Sequence, residues 1–390
     1  MTASGRPRVP LAPVLSHKSF MRAAGMRPAS VLDAGPARLV TSGRIAIAMA
    51  LREMNVGSGD LVLVPAYHSL SMIPPLLACG AEPVFYKVGA NAQVDLADAQ
   101  SRLGARVKAI MVTSYFGMPQ ELARIRTWCD QHRILMLEDC AHCFFGQHQG
   151  QPVGSWGDYA IASSMKFFPI YEGGCLVSAH HALKAPALRG AGKGFEVKAG
   201  LNALEHAFAY RRLPLIRALL WLPMQLKSLL WGALKRRAPV AALAPSSSDS
   251  SVDFDPHWVD LRSSWFSRMV MRRASHQRIV ARRRAHYQHL SAALSALPGC
   301  RPLFASLPEH ACPWLFPLVV EDADILFGKL HQAGVPMTRF AQTLWPGVDE
   351  RVCANSAYLS RHVLAFPCHQ ELEADELAWM TATIRAAALA

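Results

Sequence analysis

The sequence is poor in charged residues, and acids are scarcer than bases. Charged side chains make up 18% of the 390 residues, and 28 Asp and Glu stand against 41 Lys and Arg, which gives a formal net charge of +13. A positive field attracts anions in general, including phosphorylated substrates, anionic lipid and nucleic acid. Because the sequence contains no recognisable nucleic-acid-binding module, we do not expect nucleic acid as a partner.

The sequence also lacks a disulfide framework and a zinc motif. Its nine cysteines follow no spacing typical of secreted disulfide-rich domains. Cys140 and Cys143 have the spacing of a redox pair, but no second pair accompanies them, which favours two small packing residues. A cysteine pair without a further Cys or His pair supplies too few ligands for zinc, so we expect no metal site. The cysteine pattern predicts reduced thiols in a cytoplasmic enzyme.

No apolar segment follows the first residues, so the sequence predicts no signal peptide. Hydrophobic residues amount to 51% of the chain, which is enough for a large core in one or two domains.

The stretch from Leu137 to Gly174 carries the most chemistry. The apolar run 133–137 predicts a buried parallel strand, and Asp139 would then stand at its carboxyl end, where open α/β sheets bind ligands. Further along lie Ser163 and Lys166. A carboxylate that pairs with a pyridinium nitrogen and a lysine that can form a Schiff base are what pyridoxal-phosphate (PLP) chemistry requires of a protein. Taken singly, such an Asp is more often a helix cap and such a Lys a solvated side chain.

Short buried strands alternate with helical stretches through the first half of the chain. The strands are predicted at 61–65, 84–86 and 107–112, and a helix is predicted at 45–51. This alternation indicates a mainly parallel sheet with helices on both faces. Ser42 and Gly43 open the helix at 45–51, and a helix N-terminus has free N–H groups that suit a phosphate.

These motifs resemble the DegT-type aminotransferases, a PLP-dependent family that acts on nucleotide-linked keto sugars. The resemblance covers residues 38–178 well and 265–385 loosely. The family has Glu-Asp-Ala-Ala-Gln at the strand end, then Gly-Asp, a Ser, the Schiff-base Lys and a Gly-Glu-Gly-Gly turn. The corresponding residues here are Asp139, His142, Gly157-Asp158, Ser163, Lys166 and Glu172-Gly173-Gly174. The Ser-to-Lys interval is about two residues shorter than in the family.

The resemblance implies a role for each matched residue. Lys166 would hold the cofactor and act as the base, and Asp139 would pair with the pyridine nitrogen. His142 stands where the family has the Gln that contacts the ring hydroxyl. Phosphate binding would fall to Ser163 and to the turn Ser42-Gly43-Arg44, in which Arg44 replaces a family Thr.

Two departures affect the expected site. Ser69 occupies the place of the aromatic residue that stacks on the cofactor ring, so we predict that His68 substitutes for it, with Tyr67 as second choice. Phe266 stands where relatives carry an Asn that reaches the neighbouring subunit's phosphate, and Arg268 is a candidate replacement. Like the family, the chain is expected to form a homodimer.

The resemblance implies PLP fold type I, an α/β fold with a large, mainly parallel, seven-stranded-type sheet domain and a smaller C-terminal α/β domain. We divide the chain into an N-terminal arm, a large PLP-binding domain, a basic amphipathic insertion with a linker, and a connecting helix with the small domain; their ranges are 1–37, 38–200, 201–260 and 261–390. One helix is predicted from Trp265 to Leu294, and most of its arginines are predicted to face solvent.

The segment 211–237 has two interpretations. It is apolar, tryptophan-containing and flanked by basic residues, while its internal Arg, Lys and prolines argue against a membrane span. A basic amphipathic helix can lie on an anionic membrane surface, here the inner face. The alternative is a helical lid buried against the catalytic domain or the partner subunit.

The functional expectation is an aminotransferase that passes an amino group from a donor, glutamate by family habit, to a keto substrate. The resemblance implies a keto sugar nucleotide as the acceptor. Because the loop 338–348 is shorter than the family's substrate-contacting loop, a related biosynthetic ketone remains an alternative. The alternative is a catalytically degenerate protein of this fold with a regulatory or scaffolding role, including one attached to a membrane.

Overall fold

A large sheet forms the centre of the computed structural model, which describes residues 6–184, 186–220 and 251–390. In that part of the chain the sheet has nine strands in the order β10-β11-β1-β9-β8-β5-β4-β2-β3. These strands are β1 Ala37–Val40, β2 Leu61–Pro65, β3 Glu82–Tyr86, β4 Val107–Thr113, β5 Leu135–Asp139, β8 Tyr159–Ala162, β9 Gly174–Val177, β10 Arg189–Gly190 and β11 Leu261–Arg262. Strands β6 Gln147–His148 and β7 Gln151–Pro152 form a separate hairpin.

The sheet is mainly parallel. β3, β2, β4, β5 and β8 run parallel to one another, whereas β9 pairs antiparallel with both β8 and β1. Seven strands of four or more residues make up the body of the sheet, and the two-residue strands β10 and β11 extend its edge. The seven-stranded type of α/β sheet expected from the sequence is therefore confirmed, with two short additions.

Helices cover this sheet and a second, smaller one. They are α1 Gly43–Glu53, α2 Ile73–Ala78, α3 Leu96–Ser101, α4 Leu122–His132, α5 Lys193–Ala209, α6 Pro214–Leu219, α7 Trp265–Arg273, α8 His276–Leu294, α9 Ala323–Ala333, α10 Glu350–His362 and α11 Ala374–Leu389. α1 packs on β8 and β9 because its apolar residues, among them Ile45, Met49 and Leu51, are almost fully buried. Burial of each such side chain contributes about 1.5–3 kcal/mol.

The C-terminal part has its own antiparallel sheet, β12-β13-β14, formed by Cys300–Pro302, Leu315–Val320 and Val363–Pro367. Its core includes Phe316, Leu364, Phe366 and Met380, all buried. This is the smaller α/β unit expected from the sequence. The large sheet also recruits Leu261–Arg262, from beyond the predicted insertion, through the pair Val40 and Arg262.

The single helix predicted from Trp265 to Leu294 is wrong, because the chain breaks it in two. Ala274 is extended (φ −63°, ψ 145°), and Ser275 caps the second helix by accepting a hydrogen bond from the Arg278 N–H. A Ser side chain that satisfies a free N–H favours a helix start over a helix interior.

The prediction that most arginines of this region face solvent is also wrong for α8. Arg278, Arg282, Arg283 and Arg284 all donate to backbone carbonyls elsewhere in the chain, and Arg278 also pairs with Glu371. Arg272 and Arg273, at the end of α7, are exposed as expected.

The described portion of the arm folds back on the chain's own C-terminal region. Ser16 and Ser19 donate to the buried carboxylate of Glu371, and Lys18 pairs with Glu373. No helix among the described residues is long and apolar enough to cross a bilayer. Of the segment 211–237, residues 221–237 lie outside the described part, while Leu215 and Leu219 of α6 are 85% and 80% exposed.

Candidate active site

Asp139 lies at the carboxyl end of β5, where the sequence places it. Its side chain is 3% exposed. Thr113, its partner residue on β4, donates to Oδ2 at 3.0 Å, and the Ala141 N–H donates to Oδ1 at 2.9 Å. Hydrogen bonds of this kind stabilise a carboxylate in its ionised form and fix its direction.

Lys166 ends a 3₁₀ turn, Ser164–Lys166, between β8 and β9. The Lys166 carbonyl accepts a hydrogen bond of 2.8 Å from the guanidinium of Arg283, which is fully buried. Its Nζ lies 4.3 Å from the ring centroid of Trp314, at the start of β13. The backbone of the lysine and its amine are thus both held by residues of the C-terminal third.

The N-terminus of α1 faces the same place. Ser42 caps the helix by accepting from the Ile45 N–H. A methyl group added at Gly43 would lie 3.6 Å from Cβ of Ser163, and one added at Gly174 would meet the Ser42 carbonyl at 2.5 Å or closer. The second glycine of Glu172-Gly173-Gly174 is therefore needed because β9 runs directly against the Ser42-Gly43 turn.

These elements enclose one pocket, which we call the inner cleft. Seven of the eight sequence-predicted site residues line it, and only His68 does not. Its walls are Ser42, Gly43, Arg44, Ile47, Ser69, Ser71, Met72, Thr113, Asp139, Ala141, His142, Ile161, Ser163, Met165, Lys166 and Phe340. Residues that are distant in sequence but expected to act together are thus brought together.

His142 is held as a neutral ring in the cleft wall. Burial, followed by the charge of Lys166, places its pKa well below the usual value. Its Nδ1 accepts from the Phe116 N–H at 3.4 Å, so the proton of the neutral ring resides on Nε2. Trp314 packs against the ring at 3.9 Å between centroids and Phe340 at 4.7 Å. The residue can therefore donate one hydrogen bond and carries no charge at neutral pH.

The structure does not support His68 as the stacking residue. Its ring is fully buried outside the inner cleft and stacks on Phe85 at 4.9 Å. Nε2 accepts from the Trp345 N–H, and burial lowers the pKa to about 4. Tyr67 is equally buried and does not line the cleft either.

Two of the quoted motifs support the site without lining it. Glu138 is buried and accepts from the N–H groups of Gly154, Trp156 and Gly157, which fixes the loop that follows β7. Glu172 accepts from both the N–H and the hydroxyl of Ser264, the cap of α7. Cys140 and Cys143 are buried free thiols, and the Cys140 thiol donates to Glu138.

A second pocket, the outer cavity, opens beside Lys166. Its lining includes Ser69, Met165, Lys166, Trp314, Phe327, Arg339, Phe340 and Gln342. Sequence reasoning missed Trp314, Arg339 and Phe340, because nothing in their local pattern distinguishes them from core or loop residues. The only signal was that 338–348 stands where the family has a substrate-contacting loop.

The residues of the inner cleft fit pyridoxal phosphate. The cleft has a hydrogen-bonded carboxylate in Asp139 and an amine in Lys166. It also has a cradle made by Gly43 and Ser163 at a helix N-terminus, which suits a phosphate. Among the described residues no cluster of His, Cys, Asp or Glu could hold a metal ion.

Comparison with known proteins points in the same direction. The sequence profile of the DegT/DnrJ/EryC1/StrS aminotransferase family matches residues 29–276, more than half of the chain. A GDP-perosamine synthase from Vibrio cholerae is 30% identical over 153 residues, or 38% of this chain and 42% of that protein.

A UDP-N-acetyl-3-dehydro-alpha-D-glucosamine 3-aminotransferase from Acidithiobacillus ferrooxidans is 33% identical over 150 residues, which span 37% of this chain and 40% of that protein. The matched part of the chain thus spans less than half the length of these two relatives. The crystal structure of the aminotransferase TlmJ from Streptoalloteichus hindustanus superposes with a TM-score of 0.61 at 19% identity, covering 96% of this chain and 98% of that one.

Proposed function

Because the chain belongs to the DegT/DnrJ/EryC1/StrS aminotransferase family, we propose that it is a PLP-dependent aminotransferase. Its acceptor would be a keto sugar nucleotide or a related biosynthetic ketone, and its donor an amino acid such as glutamate. The observation that carries the proposal is that Asp139 and Lys166 line one cleft together with the N-terminus of α1.

When bound, pyridoxal phosphate supplies an electron sink and a carrier for the amino group. Asp139 would hold a proton on the pyridine nitrogen, since its own oxygens accept from Thr113 and Ala141. His142 would donate from Nε2 to the ring hydroxyl. Ser42, Gly43, Arg44 and Ser163 would bind the phosphate.

The amine of Lys166 anchors the cofactor and then moves a proton at the reacting carbon. The face of Trp314 next to Nζ and the fixed carbonyl of Lys166 limit where that amine can swing. Positioning of this kind lowers the cost of proton transfer because the amine does not need to be ordered in each turnover.

The test is reduction of the PLP-loaded protein with borohydride, followed by peptide mass spectrometry. The expected result is a cofactor mass on the peptide that contains Lys166, and none in the Lys166→Ala variant. The matched control is Lys108→Ala, because Lys108 lies on β4 and pairs with Asp60 outside both pockets. Labelling that survives in Lys166→Ala would remove this lysine from its role.

A second test concerns the reaction. The loaded protein is incubated with candidate amino donors, and conversion to the pyridoxamine form is followed by absorbance. Retained label on Lys166 without conversion by any donor would favour the catalytically degenerate alternative.

We further propose a cytoplasmic homodimer with peripheral contact to the anionic inner membrane face through 211–237. The family's habit of sharing active sites between subunits supports the dimer. The exposed Leu215 and Leu219, together with the exposed Arg211 and Arg217, support the membrane contact.

A further inference from the structure

Arg339 has a buried side chain, and one of its three guanidinium nitrogens, Nη1, forms an ion pair. Its side chain is 8% exposed, and Nη1 pairs with Asp324 at 2.6 Å. Among the described residues, its Nε and Nη2 have no hydrogen-bond partner although both atoms are buried. A buried donor without a partner destabilises the folded protein, so two such donors on one side chain call for an explanation.

The two unpartnered nitrogens belong to the same side of one guanidinium. Nε and Nη2 form a planar fork that binds two oxygens of one carboxylate or phosphate. The ring of Phe327 supports the guanidinium at 4.7 Å, which fixes its plane. Asp324 is 92% exposed, so solvent screens its ion pair with Arg339.

This fork lies in the wall of the outer cavity. Arg339 lines the outer cavity, and so do Lys166 and Trp314. A molecule that approaches Lys166 through this cavity therefore enters a space that Arg339 also lines.

From this geometry we infer that Arg339 binds an oxyanion of the substrate through its Nε–Nη2 edge. The chemistry is a carboxylate of the amino donor or a phosphate of the acceptor. The assignment of this oxyanion to a substrate rests on the proposed function, but anion binding at Arg339 does not require catalysis.

The experiment measures anion binding directly by titration calorimetry on the full-length protein, with and without PLP. The two probes are glutarate, a dicarboxylate without an amino group, and pyrophosphate. In Arg339→Gln we expect the dissociation constant of at least one probe to rise about ten- to a hundredfold, the range that loss of a charge-assisted pair produces. Arg339→Lys keeps the charge without the fork and should recover only part of the affinity.

The matched control is Arg361→Gln. Arg361 also carries a single ion pair, with Glu350, but it is 60% exposed and lies outside both pockets. Since the chain has a formal charge of +13, equal weakening in this control would mean general attraction and would overturn the inference. Thermal unfolding verifies that each variant is folded. If Arg339→Gln is unfolded, the probe affinities of Arg339→Lys provide the test instead.

The two probes separate the sources of the anion. Weakening of glutarate alone assigns the donor carboxylate, and weakening of pyrophosphate alone assigns the acceptor phosphate. If neither probe binds the wild type, or Arg339→Gln binds both as well as wild type does, the inference is wrong. Failure of the Lys166 label with intact probe binding would instead refute the proposed function and leave the anion site standing.

Discussion

Arg283 shows how a single side chain connects the active-site turn to the C-terminal sheet region. Its guanidinium is fully buried and donates to Gln370 and to the carbonyls of Pro313, Trp314 and Lys166. It also lies 4.6 Å from the ring centroid of Phe167. Its contacts are almost all neutral oxygens, so the charge is solvated by the protein itself.

Replacing Arg283 with Met should destabilise the protein by about 3–5 kcal/mol, because several buried carbonyls lose their donor at once. Urea unfolding measures this loss. The control is Arg272→Met, since Arg272 is exposed at the end of the preceding helix. A loss of less than about 1 kcal/mol in Arg283→Met would show that water or other donors replace the guanidinium.

At the scale of one helix, the turn Glu172-Gly173-Gly174 is tied to the start of α7. Glu172 accepts from the N–H and Oγ of Ser264, and Ser264 Oγ in turn accepts from the Ser267 N–H. Burial raises the pKa of Glu172, while hydrogen bonds from Ser267 and Ser264 act against that rise. The carboxylate therefore serves as an anchor for the helix that leads to the small domain.

The variant Ser264→Ala removes both the cap and one donor to Glu172. We expect a loss of about 1–2 kcal/mol in the free energy of unfolding, the usual cost of a buried N-cap. The comparison is Ser275→Ala, which removes the cap of α8 without any contact to Glu172. If both variants lose the same amount, Glu172 adds nothing to the cap.

The proposed membrane contact can be tested at α6. Leu215 and Leu219 are 85% and 80% exposed, and the exposed bases beside them are Arg211 and Arg217, because Arg212 pairs with Glu376. Wild-type protein should co-sediment with vesicles containing anionic lipid but not with neutral vesicles. Leu215→Ser with Leu219→Ser should weaken this binding by on the order of tenfold, because two apolar side chains no longer enter the interface.

Ile325→Ser is the control, because Ile325 is 60% exposed on α9 and has no basic cluster beside it in sequence. Absence of vesicle binding in the wild type would favour the buried-lid interpretation of 211–237.

Comparison of elements shows where sequence reasoning succeeds. The strands predicted at 61–65 and 107–112 correspond to β2 and β4, which span 61–65 and 107–113, because local pattern and tertiary packing agree there. The break between α7 and α8 depends on the Ser275 side chain, which caps α8. The helical pattern on both sides of Ser275 predicts one continuous helix and gives no sign of this cap. The strand predicted at 133–137 begins only at Leu135, since Arg133 adopts a left-handed conformation after α4.

The site was predictable to the extent that it is local. Asp139, Ser163 and Lys166 sit in a motif with fixed order, and the structure places all three in one cleft. Trp314, Arg339 and Phe340 come from the small domain, so only the packing of that domain against the sheet reveals them. The structure does not support His68 as the ring-stacking residue, because its side chain packs in the core beside Phe85 and does not line the cleft.

For the molecule as a whole, buried histidines set the response to acid. Burial lowers the pKa of His68 and His286 to about 4 and holds the pKa values of His142 and His369 well below 6.5. For His286 and His369, neighbouring arginines lower the pKa further.

The sign of the pH effect follows from these shifts. Below the ordinary histidine pKa of 6.5 the unfolded chain binds protons at these rings and the folded chain does not. The histidines therefore remove stability as the pH falls from about 6.5 toward 4. Each contributes a loss of about 1.4 kcal/mol per pH unit while its two states differ by a full proton.

Buried acids act in the opposite direction. Burial raises the pKa of Glu138 and Glu172 above the ordinary glutamate value of 4.5, so the folded state takes up their protons before the unfolded state does. Both carboxylates also receive hydrogen bonds that limit this rise. These two acids therefore offset part of the loss of stability that the buried histidines cause toward low pH.

We expect the urea midpoint to fall steadily between about pH 6.5 and pH 4.5, a window set by the histidine shifts. The variant His68→Gln should flatten this fall by the share of one group, because a neutral amide replaces a ring that must stay uncharged. The matched control is His257→Gln, because the His257 side chain is exposed. A midpoint that is constant down to about pH 5 would mean that the folded protein protonates its buried histidines as readily as the unfolded chain does, including His142, whose Nδ1 must be unprotonated to accept from the Phe116 N–H.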